Sequence, residues 1–157
     1  MNIQKNAHAG FTLIEVLVVL VIMTVLAAIA FPAYSGMVRR ARYAEAKQQM
    51  GMMAREVKLY HLEQGQYPPD VNPNVQPQGI TSWPKDVPYE STYDYDHWAV
   101  GESQCYVQIG YAGESGTRAY PVHRLNQKPP GFKEIGDNLV LGIALYSCQT
   151  NSRGSIR

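Results

Sequence analysis

Residues 8–32 run His8-Ala9-Gly10-Phe11-Thr12-Leu13-Ile14-Glu15-Val16-Leu17-Val18-Val19-Leu20-Val21-Ile22-Met23-Thr24-Val25-Leu26-Ala27-Ala28-Ile29-Ala30-Phe31-Pro32. Between Phe11 and Phe31 the only charged side chain is Glu15. At about 1.5 Å of rise per residue the run is roughly 31 Å long, one bilayer core. A secretory signal places its small-residue cleavage site after the apolar region. Here Gly10 comes first, so a cut after it leaves the apolar helix on the chain. The stretch reads as a retained membrane helix behind a short polar leader.

Gly10-Phe11-Thr12-Leu13-Ile14-Glu15, the apolar run and Pro32 resemble the type IV prepilins and the related pseudopilins of type II secretion. The resemblance implies a route: a prepilin peptidase cuts after Gly10 and N-methylates the new terminal Phe11. Glu15 then guides assembly with other pilin subunits by an inner-membrane machinery. It also implies a division into a leader at 1–10, a transmembrane and polymerisation helix at 11–34, and a head at 35–157. The implied location is a single pass through the inner membrane, then a surface filament.

Glu15 makes sense without the family. A carboxylate at the centre of a lipid-embedded helix costs about 2.5–3.5 kcal/mol on insertion scales, so it needs a partner or a task. Cleavage creates an α-amine on Phe11, with an ordinary pKa of about 7.7–8.0. Glu15 could pair with the amine of its own chain, four residues away, or with that of a neighbour. The second choice also sets the axial stagger of a helical stack, and it is the one expected here. The positive-inside count opposes the implied topology, since Lys5 stands before the helix and Arg39, Arg40 and Arg42 after it. The leader signature and the two cysteines argue for a head outside the cytoplasm.

The fold expected is α+β: one long helix, half membrane and half amphipathic, packed on a small antiparallel sheet. Tyr43, Ala46, Met50, Met53, Val57 and Tyr60 recur at helical spacing and form one apolar stripe. The helix should end near Gln64, where Gly65 supplies a stop and Pro68-Pro69 follow. Pro32 is a candidate kink. Gly65-Gln66-Tyr67-Pro68 resembles the helix exit of many pilins and major pseudopilins. Residues 65–92 read as a long loop anchored by Ile80, Trp83 and Val87. Within 93–157, Cys105–Tyr111 and Leu139–Cys148 read as strands, with Thr117–Leu125 a third that places Pro121 at an edge. Eleven tyrosines against three phenylalanines suggest a wet, contact-forming surface more than an oily core.

Chemistry is sparse. Cys105 and Cys148 are the only cysteines, and an even count in an exported domain favours one disulfide. The pilin likeness points the same way, because many type IV pilins bracket a C-terminal region with such a pair. Asp94 and Asp96 alternate in Tyr93–Trp98 and could offer oxygens to calcium, with Asp137 from a distant loop. The calcium pattern of the pseudopilins is not recognisable there, and a turn with solvated carboxylates is the preferred reading. His8, His61, His97 and His123 have neither zinc nor triad spacing, and no phosphate loop is present, so no enzyme is expected. Without Lys5, basic and acidic side chains balance, which gives no general case for a nucleic-acid partner. A DNA-binding reading would rest on Arg153 and Arg157 in the tail, joined by Arg118, Arg124, Lys128 and Lys133; interleaved acids favour a solubilising tail. The function expected is a structural subunit of a surface type IV pilus. The alternatives are a type II secretion pseudopilin and a DNA-binding minor pilin for natural transformation.

Overall fold

The computed structural model of the chain describes residues 10–100, 103–119 and 131–149. Helix α1 runs from Leu13 to Gln64 and passes Pro32 without a break in its assignment. Four strands follow: β1 (Tyr93–Val100), β2 (Gln104–Tyr111), β3 (Gly131–Ile135) and β4 (Asn138–Ser147). The chain divides into two compact units, residues 1–40 and 41–157.

In the first unit α1 is apolar and entirely exposed, and it is long and apolar enough to cross a membrane. Proline at position 32 has no N–H to give the preceding turn, and the Ser35 hydroxyl donates back to the Pro32 carbonyl at 3.0 Å.

In the second unit the C-terminal part of α1 buries Ala46, Met50, Met53, Ala54 and Val57, with Tyr43 and Tyr60 half-buried at the ends of the stripe. The helix stops where expected. Gly65 takes φ of 71°, and its N–H donates to the His61 carbonyl at 2.9 Å, the left-handed cap that glycine makes at least cost. The loop that follows is pinned by Ile80, Trp83 and Val87, which pack on the core. The Glu56 carboxylate on α1 accepts N–H bonds from Thr81 and Ser82 and the Thr81 hydroxyl, at 2.5–2.9 Å.

The sheet is antiparallel in the order β1-β2-β4-β3. Tyr93 and Tyr95 of β1, Val107, Ile109 and Tyr111 of β2, and Leu139, Leu141 and Ile143 of β4 share one face and meet the α1 stripe. A register shift between Val107 and Gln108 leaves Ile143 as an extra residue on β4, a bulge that turns Ala144 and Tyr146 to the core side as well. The sheet differs from expectation at three elements: β1 stands where Tyr93–Trp98 was read as a turn, β3 was not expected, and the third strand expected at Thr117–Leu125 does not form over its described part. Thr117–Ala119 is not strand, and positions 120–125, including Pro121, lie outside the described residues. The remaining strand is Gly131–Ile135, a short and largely exposed edge whose signal is faint because it buries little.

Four of the eleven tyrosines depart from the reading as a contact-forming surface. Tyr93, Tyr95, Tyr106 and Tyr111 are each 0% exposed. Burial is tolerable because each phenol that faces α1 finds an acceptor: Tyr93 donates to Gln49 Oε1 at 2.7 Å, Tyr95 to the Pro68 carbonyl at 2.9 Å, and Tyr111 to the Pro88 carbonyl at 3.0 Å.

Candidate assembly segment and head

The N-terminal segment is built around a reciprocal cap. Thr12 precedes the first helical residue, and its hydroxyl accepts the Glu15 N–H at 3.3 Å. The Glu15 carboxylate reaches back and accepts the Thr12 N–H and hydroxyl, both at 2.8 Å and both on Oε2. Thr12-x-x-Glu15 is a capping box, and it satisfies two donors that lipid would leave bare. The motif could have been read directly as Thr followed by Glu three residues later. Phe11 is 89% exposed, and the large apolar side chains from Leu13 to Phe31 are 47–83% exposed.

In the head, Cys105 in β2 and Cys148 just past β4 form a disulfide, as the even cysteine count and the pilin likeness implied. It joins two neighbouring strands, and the Cys148 N–H donates to the Ser103 carbonyl beside it at 3.1 Å. His97 is buried. Its Nδ1 lies 2.7 Å from the Pro68 carbonyl, which can only accept, so Nδ1 carries the hydrogen and Nε2 accepts the Tyr146 hydroxyl at 2.6 Å. Burial lowers the His97 pKa and keeps the ring neutral.

Asp94 and Asp96 are not solvated turn residues. They lie in β1 on the face away from α1, 5% and 3% exposed, and both carboxylates meet the Arg118 guanidinium, Asp96 at 2.6 Å. Tyr-Asp-Tyr-Asp-His-Trp has the period of a strand; reading the aspartates as turn formers hid it. Asp137 is spent elsewhere, on the Ser115 N–H and on Asn138 Nδ2, each at 2.8 Å. Among the described residues no group of three or more His, Cys, Asp or Glu is arranged to hold a metal ion. Arg118 is therefore engaged with acids and does not front an open basic face. Lys133 is exposed on β3, while Arg124, Lys128, Arg153 and Arg157 lie outside the described residues.

Residues 5–31 match the prokaryotic N-terminal methylation motif. The chain is 41% identical over 66 residues to the fimbrial protein EcpC of Eikenella corrodens, 42% of this chain and 43% of that protein. It is 37% identical over 78 residues to the type IV major pilin protein PilE1 of Neisseria gonorrhoeae, 50% of this chain and 45% of that one. The alignments thus span less than half the length of these two relatives. A fimbrial protein of Dichelobacter nodosus is 32% identical over 145 residues, 88% of this chain and 85% of its own, so that likeness reaches through the head. No solved structure matches. The methylation motif, the long helix on a four-stranded antiparallel sheet and the near full-length likeness to a fimbrial protein agree: the chain belongs to the family of type IV pilins, fimbrial proteins and pseudopilins, non-catalytic structural proteins.

Proposed function

We propose that this chain is inserted in the inner membrane with its head outside the cytoplasm, cleaved after Gly10 by a prepilin peptidase and N-methylated on Phe11. An inner-membrane machinery then assembles it with other pilin subunits into a surface filament for adhesion, motility or DNA uptake. Residues 1–10 are the leader, 11–34 the transmembrane and polymerisation helix, and 35–157 the head. The likeness to a fimbrial protein over 88% of the chain carries this reading, because it includes the head and not only the shared export signal. The disulfide supports a head in an oxidising compartment. A type II secretion pseudopilin is the second reading, favoured by the Gly65-Gln66-Tyr67-Pro68 exit.

In this account the exposed apolar side chains of the first unit pack against those of other copies, and Glu15 sets the stagger. Both intrachain bonds to its carboxylate end on Oε2, and among the described residues Oε1 accepts none, so an acceptor remains for a neighbour's Phe11 amine. Two variants separate that task from capping. Glu15→Leu should insert and be cleaved yet stay out of filaments, as measured by immunoblot of membrane and sheared-filament fractions. Thr12→Ala keeps the carboxylate and its bond from the residue 12 N–H, loses both bonds of the hydroxyl at about 1 kcal/mol, and should still enter filaments. Normal filaments from Glu15→Leu, or loss from both variants alike, would show that Glu15 does not set the stagger.

A further inference from the structure

We propose that the outward face of α1 within the head, from Ala44 to Leu62, pairs with the same face of a second copy. The pair is parallel, in register and weak, and it holds chains in the membrane before assembly. It rests on the membrane insertion proposed above.

The face lies opposite the core. At about 100° per residue, Ala44, Gln48, Met52, Arg55, Leu59 and Leu62 fall within one sector about 80° wide. That sector is on the side of the helix away from the buried Ala46, Met50, Met53 and Val57. All six residues are exposed, Met52 at 41%, Leu59 at 53% and Leu62 at 80%. Their spacings of 4, 4, 3, 4 and 3 residues make a seam of the kind by which two helices pair. The sheet of each head packs on the other side of its own helix and leaves the seam open.

The charges beside the seam name the occupant and its direction. Lys47 and Lys58 border it on one side, and Glu45, Glu56 and Glu63 border it on the other. Two parallel copies set the basic flank of each against the acidic flank of the other. Antiparallel copies would set like charge against like. Three of these groups are engaged within the chain. Lys47 pairs with Glu134 at 2.7 Å, Glu45 lies 3.6 Å from Arg42, and Glu56 holds the loop at Thr81 and Ser82. Lys58 and Glu63 are exposed and make no ion pair with another described residue. They stand five residues apart, the separation that brings a flank residue of one helix to the opposite flank of a parallel partner at the same level. A pair in register therefore gains a Lys58–Glu63 contact on each side.

The same seam limits its own strength. Arg55 meets its counterpart in a parallel copy, and a polar residue at a seam position lowers stability while it fixes register. Ala44, Met52, Leu59 and Leu62 are too few to hold a dimer free in solution. Copies confined to one membrane and inserted the same way meet already parallel and at raised effective concentration. Such a pair stands level, whereas filament neighbours are staggered in the account above. It therefore belongs to chains awaiting assembly, and it must come apart for them to enter a filament.

The test is cysteine cross-linking in inner membranes of the native host after surface filaments have been sheared away. Cys105 and Cys148 are joined, so an introduced cysteine is the one free thiol. Under mild oxidation Met52→Cys and Leu59→Cys should each give a disulfide-linked dimer, and Asp86→Cys in the exposed loop should give little. Adding Lys58→Glu to Leu59→Cys should lower the dimer about threefold, and adding Glu63→Lys as well should restore it. Adding Arg55→Leu instead should raise it. No dimer at either seam position would overturn the pairing, and so would equal yield from Asp86→Cys or a yield that Lys58→Glu leaves unchanged. A dimer at only one of the two seam positions would mean an antiparallel pair and overturn it equally. Membrane fractionation and the N-terminal peptide, read in the same strains, report the insertion and processing reading separately.

Discussion

Helix α1 belongs to two environments, and its two ends follow opposite rules. Among residues 11–31 every large apolar side chain is at least 47% exposed, whereas from Ala46 to Val57 the apolar side chains of one face are nearly all buried. A soluble monomer rarely leaves more than a few hundred Å² of contiguous apolar surface bare. The first unit leaves its apolar surface uncovered, as the proposed membrane and filament roles require, while the second carries its own core. The same kind of side chain stays bare at one end of the helix and builds a core at the other.

That contrast sets the order of expected effects on head stability. Cys148→Ser should cost the most, roughly 4 kcal/mol in the loop-entropy model, because the bond closes a separation of 43 residues. Urea unfolding of the full chain in detergent would read it. Met53→Ala should cost about 3 kcal/mol, since Met53 is fully buried in the helix–sheet core and leaves a cavity. Tyr95→Phe should cost about 1 kcal/mol, at the low end because His97 Nδ1–H still serves the Pro68 carbonyl. Leu20→Ala should leave the same transition within about 0.5 kcal/mol and act instead on filament yield. A Leu20→Ala cost equal to that of Met53→Ala would erase the distinction between the two ends.

Where the sequence was legible, the signal was local or periodic. Gly10–Glu15 with the apolar run pointed to the family, the 3- and 4-residue spacing of Tyr43 to Tyr60 located the core face, and Gly65 marked the helix end. The errors came from partners far away along the chain. Nothing near Tyr95 reveals that a carbonyl 27 residues earlier awaits its hydroxyl, and the tyrosine count read instead as a contact-forming surface. Asp94 and Asp96 resembled turn residues until Arg118, 24 and 22 positions on, supplied the opposite charge. Strand β3 was missed because its face is exposed. It is held partly by the Lys47–Glu134 pair at 2.7 Å, which joins residues 87 apart. The capping box at Thr12 was legible too, as Thr followed by Glu three residues later.

The most direct measurement is quantitative mass spectrometry of sheared, purified surface filaments from the native host, reading abundance and the N-terminal peptide together. The account predicts this chain in the filaments with its first residue an N-methylated Phe11. Processed chain confined to the inner membrane and absent from surface filaments would contradict it and favour the pseudopilin reading. An N-terminus other than Phe11 would contradict the proposed cleavage itself.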